Sequence, residues 1–145
     1  MDRDDRVEPL SEADCLQLLR TVPIGRVVYT EHALPAVLPV AFELTPDDRL
    51  VLGLRAGSSL SRALDGTVAA FQADRLDPIT RSGWSVLVHG RAELVRDEAD
   101  RQRLLRSGPR PWCGGGEERT FARITPELVS GRRLVAAGQA LHRTR

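Results

Sequence analysis

From residue 84 to 94 apolar side chains occupy every second position. Trp84, Val86, Val88, Gly90, Ala92 and Leu94 share one face of an extended chain, and Ser85, Leu87, His89, Arg91 and Glu93 share the other. A period of two is the signature of a strand with one face against a core. It predicts a strand over Trp84–Val95 whose first face lines an interior. The second face is left for water, a ligand or another subunit. Similar runs at Ile24–Thr30, Leu34–Leu44, Arg49–Leu54 and Thr67–Asp74 read as strands, divided by turn formers at Glu31–Ala33, Pro46–Asp48 and Asp65-Gly66. A sixth strand is expected from Thr120 to Leu134, interrupted at a Thr125-Pro126 corner.

The helical signals are fewer. Leu16, Leu19 and Val22, with Cys15 and Leu18 beside them, form one apolar stripe that Pro23 ends. Ser11 with Asp14 makes a capping-box-like start, with Asp in place of the usual Glu or Gln. Leu60–Leu64 reads as a short helix, and Asp97 caps another that runs to about Arg106. Residues 107–118, with Pro109, Pro111 and Gly114 to Gly116, read as a loop. Six strands, short connections and few helices predict a mainly β fold, a closed or nearly closed antiparallel barrel. One domain over residues 11–135 accounts for the pattern, with a flexible lead at 1–10 and a tail at 136–145.

Composition narrows the function classes. A chain of 145 residues, 41% hydrophobic and 28% charged, is long enough for one real core and polar enough for an ordinary globular domain. Net charge is +1, which lacks the basic excess that general nucleic-acid binding requires. No apolar run approaches the roughly 18 residues of a membrane span, and the start MDRDDRVEPL is too acidic for a signal peptide. Cys15 and Cys113 lie far apart without metal-type spacing, as expected of a reduced cytoplasmic protein. His32, His89 and His142 form no ligand pair, so no metal site is expected. No Gly-x-Ser-x-Gly elbow is present either. The sequence contains no lysine, so any anion site must use arginine or backbone N–H groups.

Two stretches are candidates for chemistry. R55-A-G-S-S-L-S-R62 places a Gly-Ser turn at the start of a helix, with Ser58 and Ser59 as hydroxyl donors and Arg55 and Arg62 as cations. It reads equally as a phosphate cradle and as a serine cap flanked by two solvated arginines. Trp84, one of two tryptophans, begins the long strand next to Gly83. Packing alone accounts for it, and a wall for a flat ligand is the second reading.

Several segments in order resemble the pyridoxamine 5'-phosphate oxidase-like, FMN-binding split-barrel family. They are G25-R-V-V-Y with L38-P-V-A-F42, A56-G-S-S-L60, L76-D-P-I-T-R-S-G-W-S-V-L-V-H-G-R91 and R123-I-T-P-E-L-V-S-G-R-R133. The third is the most specific, because a whole loop and strand match. The resemblance implies a six-stranded antiparallel split barrel working as a homodimer, with two flavin sites at the subunit interface. It implies that the segment Val37–Phe42 runs beside the isoalloxazine, largely through backbone groups, those of Val40, Ala41 and Phe42 holding the ring. It places the phosphate at Gly53, Leu54, Arg55, Ser58 and Ser59, and brings Trp84 and Ser85 to the flavin, commonly from the other subunit.

The chain departs from the family pattern at the phosphate. Many relatives carry Arg-Thr or Tyr-Thr where this chain has Gly53 and Leu54, and a lysine where it has Ser59. Two charge-assisted contacts are thereby missing, each worth about 1.5–3 kcal/mol. Arg55 or Arg62 would replace them if turned inward. The expected function is an FMN-dependent oxidoreductase acting on a small-molecule substrate, with no catalytic acid or base identified in the chain. The alternatives are a non-catalytic flavin-binding or sensory module and a deazaflavin-dependent reductase.

Overall fold

A computed structural model describes residues 5–111 and 118–136. The elements run β1 (Asp5–Pro9), α1 (Glu12–Leu19), β2 (Ile24–Glu31), β3 (Leu34–Leu44), β4 (Leu50–Arg55), α2 (Ser59–Leu64), β5 (Thr67–Asp77), β6 (Ser82–Leu94), α3 (Glu98–Ser107) and β7 (Arg119–Ala136). The sheet order is β1-β7-β4-β3-β2-β5-β6, and β6 pairs back onto β7, so six strands close a ring with β1 appended. Every pairing is antiparallel. The ring is thinnest between β2 and β5, which pair only from Arg26↔Gln72 to Val28↔Ala70. No helix among the described residues is long and apolar enough to cross a membrane.

Six of these strands are the expected ones. The seventh, β1, falls within the segment read from sequence as a flexible lead. It pairs with the end of β7, from Pro9↔Arg132 to Asp5↔Ala136. Such an edge strand is held by main-chain bonds and needs no apolar alternation, so its charged sequence hides it. The Thr125-Pro126 corner also differs, because β7 runs through it. The register shifts from His89↔Leu128 to Gly90↔Pro126, which leaves Glu127 as the extra residue of a bulge. Proline is accommodated at a bulge, where no ladder N–H is required of it. A side chain at Gly90 would overlap the Thr125 carbonyl, so the close crossing requires glycine.

The alternation along β6 divides inside from outside. Trp84, Val86, Val88, Gly90 and Ala92 are buried, while Ser85, Leu87 and His89 are half-buried and Arg91 and Glu93 exposed. The interior is filled by Phe71, Leu50, Leu52, Ile124, Val27 and their neighbours, with the Phe42 and Phe71 rings tilted at a centroid distance of 4.6 Å. Helix α1 closes one side of this core through Cys15 and Leu19. It lies close enough that a Cβ at Gly131 would stand 2.6 Å from the Cys15 sulfur. Burial raises the Cys15 thiol pKa above its ordinary value, with Asp14 and Glu12 adding to the effect. Ser11 and Asp97 cap α1 and α3 as expected, accepting from the Asp14 and Asp100 N–H groups.

Strand β4 is buried on both faces. Leu50, Leu52 and Leu54 point into the barrel, while Val51 joins Val95, Leu104 and Phe121 in a second cluster beneath α3. The segment after α3 continues over the same face, where the Pro109 carbonyl occupies the space a Gly53 side chain would need. This covering sets one wall of the cleft described next.

Candidate functional site

A cleft of about 470 Å³ opens where the end of β4 turns into α2. That volume falls in the range of small-molecule sites. Tyr29 of β2, Leu38–Val40 of β3, Gly53–Arg55 of β4, Ser58–Leu60 and Pro111 form its walls.

The turn is held from several sides. Gly57 has φ +72 with nothing within 4 Å of a hypothetical Cβ, so glycine serves the backbone conformation there. The Ser58 N–H donates to the Arg55 carbonyl at 3.3 Å, and the Ala56 N–H donates to the Glu118 carbonyl at 3.1 Å. Ser58 Oγ caps α2 by accepting from the Ser61 N–H at 3.2 Å, and Ser61 Oγ donates to the Ser58 carbonyl at 2.8 Å. The Arg62 guanidinium folds back to donate to the Gly57 carbonyl. Arg62 therefore braces the turn and does not line the cleft.

Arg55 is the one basic residue on the wall, and no acidic residue lines it among the described residues. Its cross-strand neighbour Arg119 is committed elsewhere, donating to the Leu105 carbonyl and lying 5.8 Å from the Phe121 ring centre. Tyr29 adds a phenol to the lining. Burial raises its pKa and Glu31 adds to the rise, so the group stays protonated and available as a donor. The cleft thus joins apolar walls suited to a flat ring with one guanidinium and serine hydroxyls suited to an anion. The donor set fits a flavin nucleotide.

Six of the expected residues come together here: Val40, Gly53, Leu54, Arg55, Ser58 and Ser59. Ala41 and Phe42 line a separate depression with Arg20, Glu43 and Arg110, and the Phe42 side chain is only 3% exposed. Trp84 is enclosed in the barrel core at 5% exposure. Ser85 lies on the outer sheet face, accepting from Gln72 Nε2 at 3.1 Å. Within one chain, neither Trp84 nor Ser85 reaches the cleft.

Tyr29, Leu60 and Pro111 were not among the sequence candidates, whereas Leu38 and Pro39 lie in the Val37–Phe42 segment that the resemblance set beside the ring. Only Tyr29 left a trace, as the single tyrosine of the chain at the end of G25-R-V-V-Y. Cys113, Gly114 to Gly116 and His142 lie outside the described residues. Among the described residues no group of three or more His, Cys, Asp or Glu gathers as metal ligands.

The outer face carries a second feature. Val37, Val28, Ala70, His89 and Leu128 stand in register as one row across β3, β2, β5, β6 and β7. Its two ends, Val37 and Leu128, are 58% and 68% exposed. Val28, Ala70 and His89 between them are half-buried, and a five-strand row rich in apolar residues with exposed ends is unusual for a finished surface.

The family model for pyridoxamine 5'-phosphate oxidase matches residues 11–133. An uncharacterised protein of Mycobacterium tuberculosis is 41% identical over 138 residues, 90% of this chain and 87% of that one. Among solved structures, the FAD-binding protein from Mycobacterium smegmatis superposes with a TM-score of 0.68 at 29% identity, covering 88% of this chain and 98% of its own. An FAD-binding protein from Mesorhizobium loti gives 0.70 at 25% identity, covering 90% and 98%.

Proposed function

The chain belongs to the pyridoxamine 5'-phosphate oxidase family, and from that premise we propose that it is an oxidoreductase holding a flavin nucleotide noncovalently in the cleft. The carrying observation is that Arg55, Ser58 and Ser59 stand at one end of a cavity whose other walls are Leu38–Val40, Leu54, Leu60 and Tyr29. Two structural relatives named as FAD-binding support the flavin, and the segment matches in the sequence support FMN. When bound, the flavin supplies the hydride or electron chemistry. The protein's part is to bind, orient and exclude water. Arg55 and the two serines hold the phosphate, the β3 wall flanks the ring, and the protonated Tyr29 phenol donates to a ring or ribityl oxygen.

The working form is a homodimer whose interface uses the outer face. The Val37–Leu128 row gives two copies an apolar strip to bury. The neighbouring Ser85, on the same face, then lies at the seam between subunits, where a second copy completes the cleft's open side.

A non-catalytic flavin-binding module is the second reading. It is favoured by the absence of any histidine or carboxylate from the cleft lining among the described residues. The visible spectrum of purified protein, with and without added FMN or FAD, tests both. A bound-flavin spectrum that bleaches anaerobically with NAD(P)H supports the enzyme. Flavin binding that no donor reduces supports the module. A protein that binds neither nucleotide at concentrations well above micromolar defeats both readings.

A further inference from the structure

The polar depression beneath α3 sets its arginines among as many carboxylates, so it offers a ligand no net charge. The end of the barrel where β1, β7 and the 77–82 hairpin meet carries more. Leu76, Gly83, Leu134 and Val7 stand in register there across β5, β6, β7 and β1. Gly83 adds no side chain to that row. Beside it lies an apolar hollow of about 460 Å³, walled by Val7, Leu76, Pro78, Leu134 and Val135. Leu76 and Val7 are half exposed, and Ile79 at the hairpin tip is 90% exposed.

We propose that this end of the barrel is a self-complementary contact surface. A second copy of the chain places its Ile79 in the hollow, and its own hollow receives Ile79 of the first copy. This contact is independent of the flavin reading of the cleft.

The hairpin is a preformed knob. Asp77 Oδ1 accepts from the Ile79 N–H at 2.8 Å and the Thr80 N–H at 3.3 Å. The Arg81 N–H donates to the Asp77 carbonyl at 2.8 Å, and the Thr80 and Ser82 hydroxyls are 2.7 Å apart. At the base of the hairpin, the Arg75 guanidinium donates to the Thr21 carbonyl at 3.1 Å. A tip fixed before contact loses little conformational entropy on docking. Knob and hollow share one patch, which is what an isologous two-fold contact requires. Each copy then gives what the other takes.

The charges repeat the arrangement. Asp77 and Arg81 both stand on the rim of the hollow. The Ile79 and Thr80 N–H groups hold the Asp77 carboxyl below its ordinary pKa, so it is ionised at neutral pH. Among the described residues the Arg81 guanidinium makes no hydrogen bond or ion pair. A two-fold rotation about the hairpin sets Arg81 of each copy against Asp77 of the other. A foreign partner would have to bring an apolar knob, an acid and a cation in that same order. A second copy brings them by symmetry.

The strip from Val37 to Leu128 is a different surface. His89 in that strip and Gly83 in this row are both on β6, about 20 Å apart along the strand. The polar row of Asp74, Ser85 and Arg132 runs between them. One two-fold axis cannot run through both, so the two contacts together build a dimer of dimers.

Sedimentation equilibrium of the purified chain at micromolar concentrations tests the contact. Ile79→Asp places a charge on an exposed tip, and it should halve the mass of the assembly that the wild type forms. Arg81→Gln removes both rim pairs and should weaken association by about three- to tenfold. Flavin affinity of Ile79→Asp, read by fluorescence, should stay within about twofold of wild type. An Ile79→Asp assembly of wild-type mass overturns the proposal, whatever else then fills the hollow. A wild type that is monomeric throughout overturns it as well. So does a flavin affinity that falls together with the mass, since the hairpin would then serve the cleft.

Discussion

The barrel interior and the cleft at the end of β4 are built from neighbouring residues of the same strands, yet they obey different rules. Inside, every second residue of β6 from Trp84 to Ala92 is buried, and Trp84 is enclosed with Val86 and Val88 in the core cluster. In the cleft, the walls are also largely apolar, but they face an unfilled volume of about 470 Å³ with one guanidinium at its end. The interior stores stability. The cleft withholds it, leaving Tyr29 and Ser59 hydroxyls without hydrogen bonds to the protein among the described residues. Unspent donors next to apolar surface are what a ligand can use.

Substitutions on either side should separate the two regions, the largest effect first. Trp84→Ala removes the biggest side chain of the interior face and should cost about 3–5 kcal/mol in urea unfolding. If flavin affinity of the folded variant fell while stability held, Trp84 would belong to the cleft instead. Gly53→Val sits on the border, with its side chain forced against the Pro109 carbonyl. It should destabilise by about 1–3 kcal/mol and also weaken flavin binding, since the 109–111 segment forms part of the wall. An effect on stability alone would detach that segment from the site.

Asp65 belongs to the scaffold. Its carboxylate accepts from Arg96 and from the Leu94 N–H, and these bonds, the Arg96 one foremost, hold its pKa below the ordinary carboxylate value. Because the folded value is the lower one, the stabilisation is present above the unfolded pKa of about 3.9. It is lost as pH falls through the folded value. Asp65→Asn should therefore cost about 0.5–1.5 kcal/mol at pH 7, and urea titrations should show the gap closing as pH falls below the unfolded carboxylate pKa. A gap that persists at low pH would show that packing, rather than the charge, is at stake. Arg62→Ala is the smallest case. With its guanidinium on the Gly57 carbonyl, the loss should change flavin affinity by no more than about twofold, and a tenfold loss in the titration would return Arg62 to the phosphate.

The interior was the more legible of the two regions. Period-two alternation follows directly from strand geometry, so the inward set from Trp84 to Ala92 could be written from sequence. Half of the cleft was also visible, because a Gly-Ser turn entering a helix marks itself by composition. Leu38 and Pro39 were covered by the Val37–Phe42 segment, while Tyr29 did not show, since it belongs to the cleft only through the pairing of β2 and β3, which residue patterns do not report. Arg62 and Arg119 illustrate the same limit from the other side. Arg62 reads as a candidate cation in the sequence, and in the fold each is tied to a backbone carbonyl. Ala41 and Phe42 sit on the cleft's strand but turn to its far side and to the core.

Arg55 is the residue on which the distinction between the regions turns. It is exposed and, among the described residues, is the one basic group on the cleft wall. The direct measurement is an equilibrium titration of wild type and Arg55→Ala with FAD, followed by flavin fluorescence, alongside urea unfolding of both apoproteins. The account predicts a loss of affinity of about ten- to a hundredfold, matching about 1.5–3 kcal/mol for a charge-assisted bond, with unfolding midpoints unchanged. Equal affinity for the two proteins, or no FAD binding by the wild type, would contradict it.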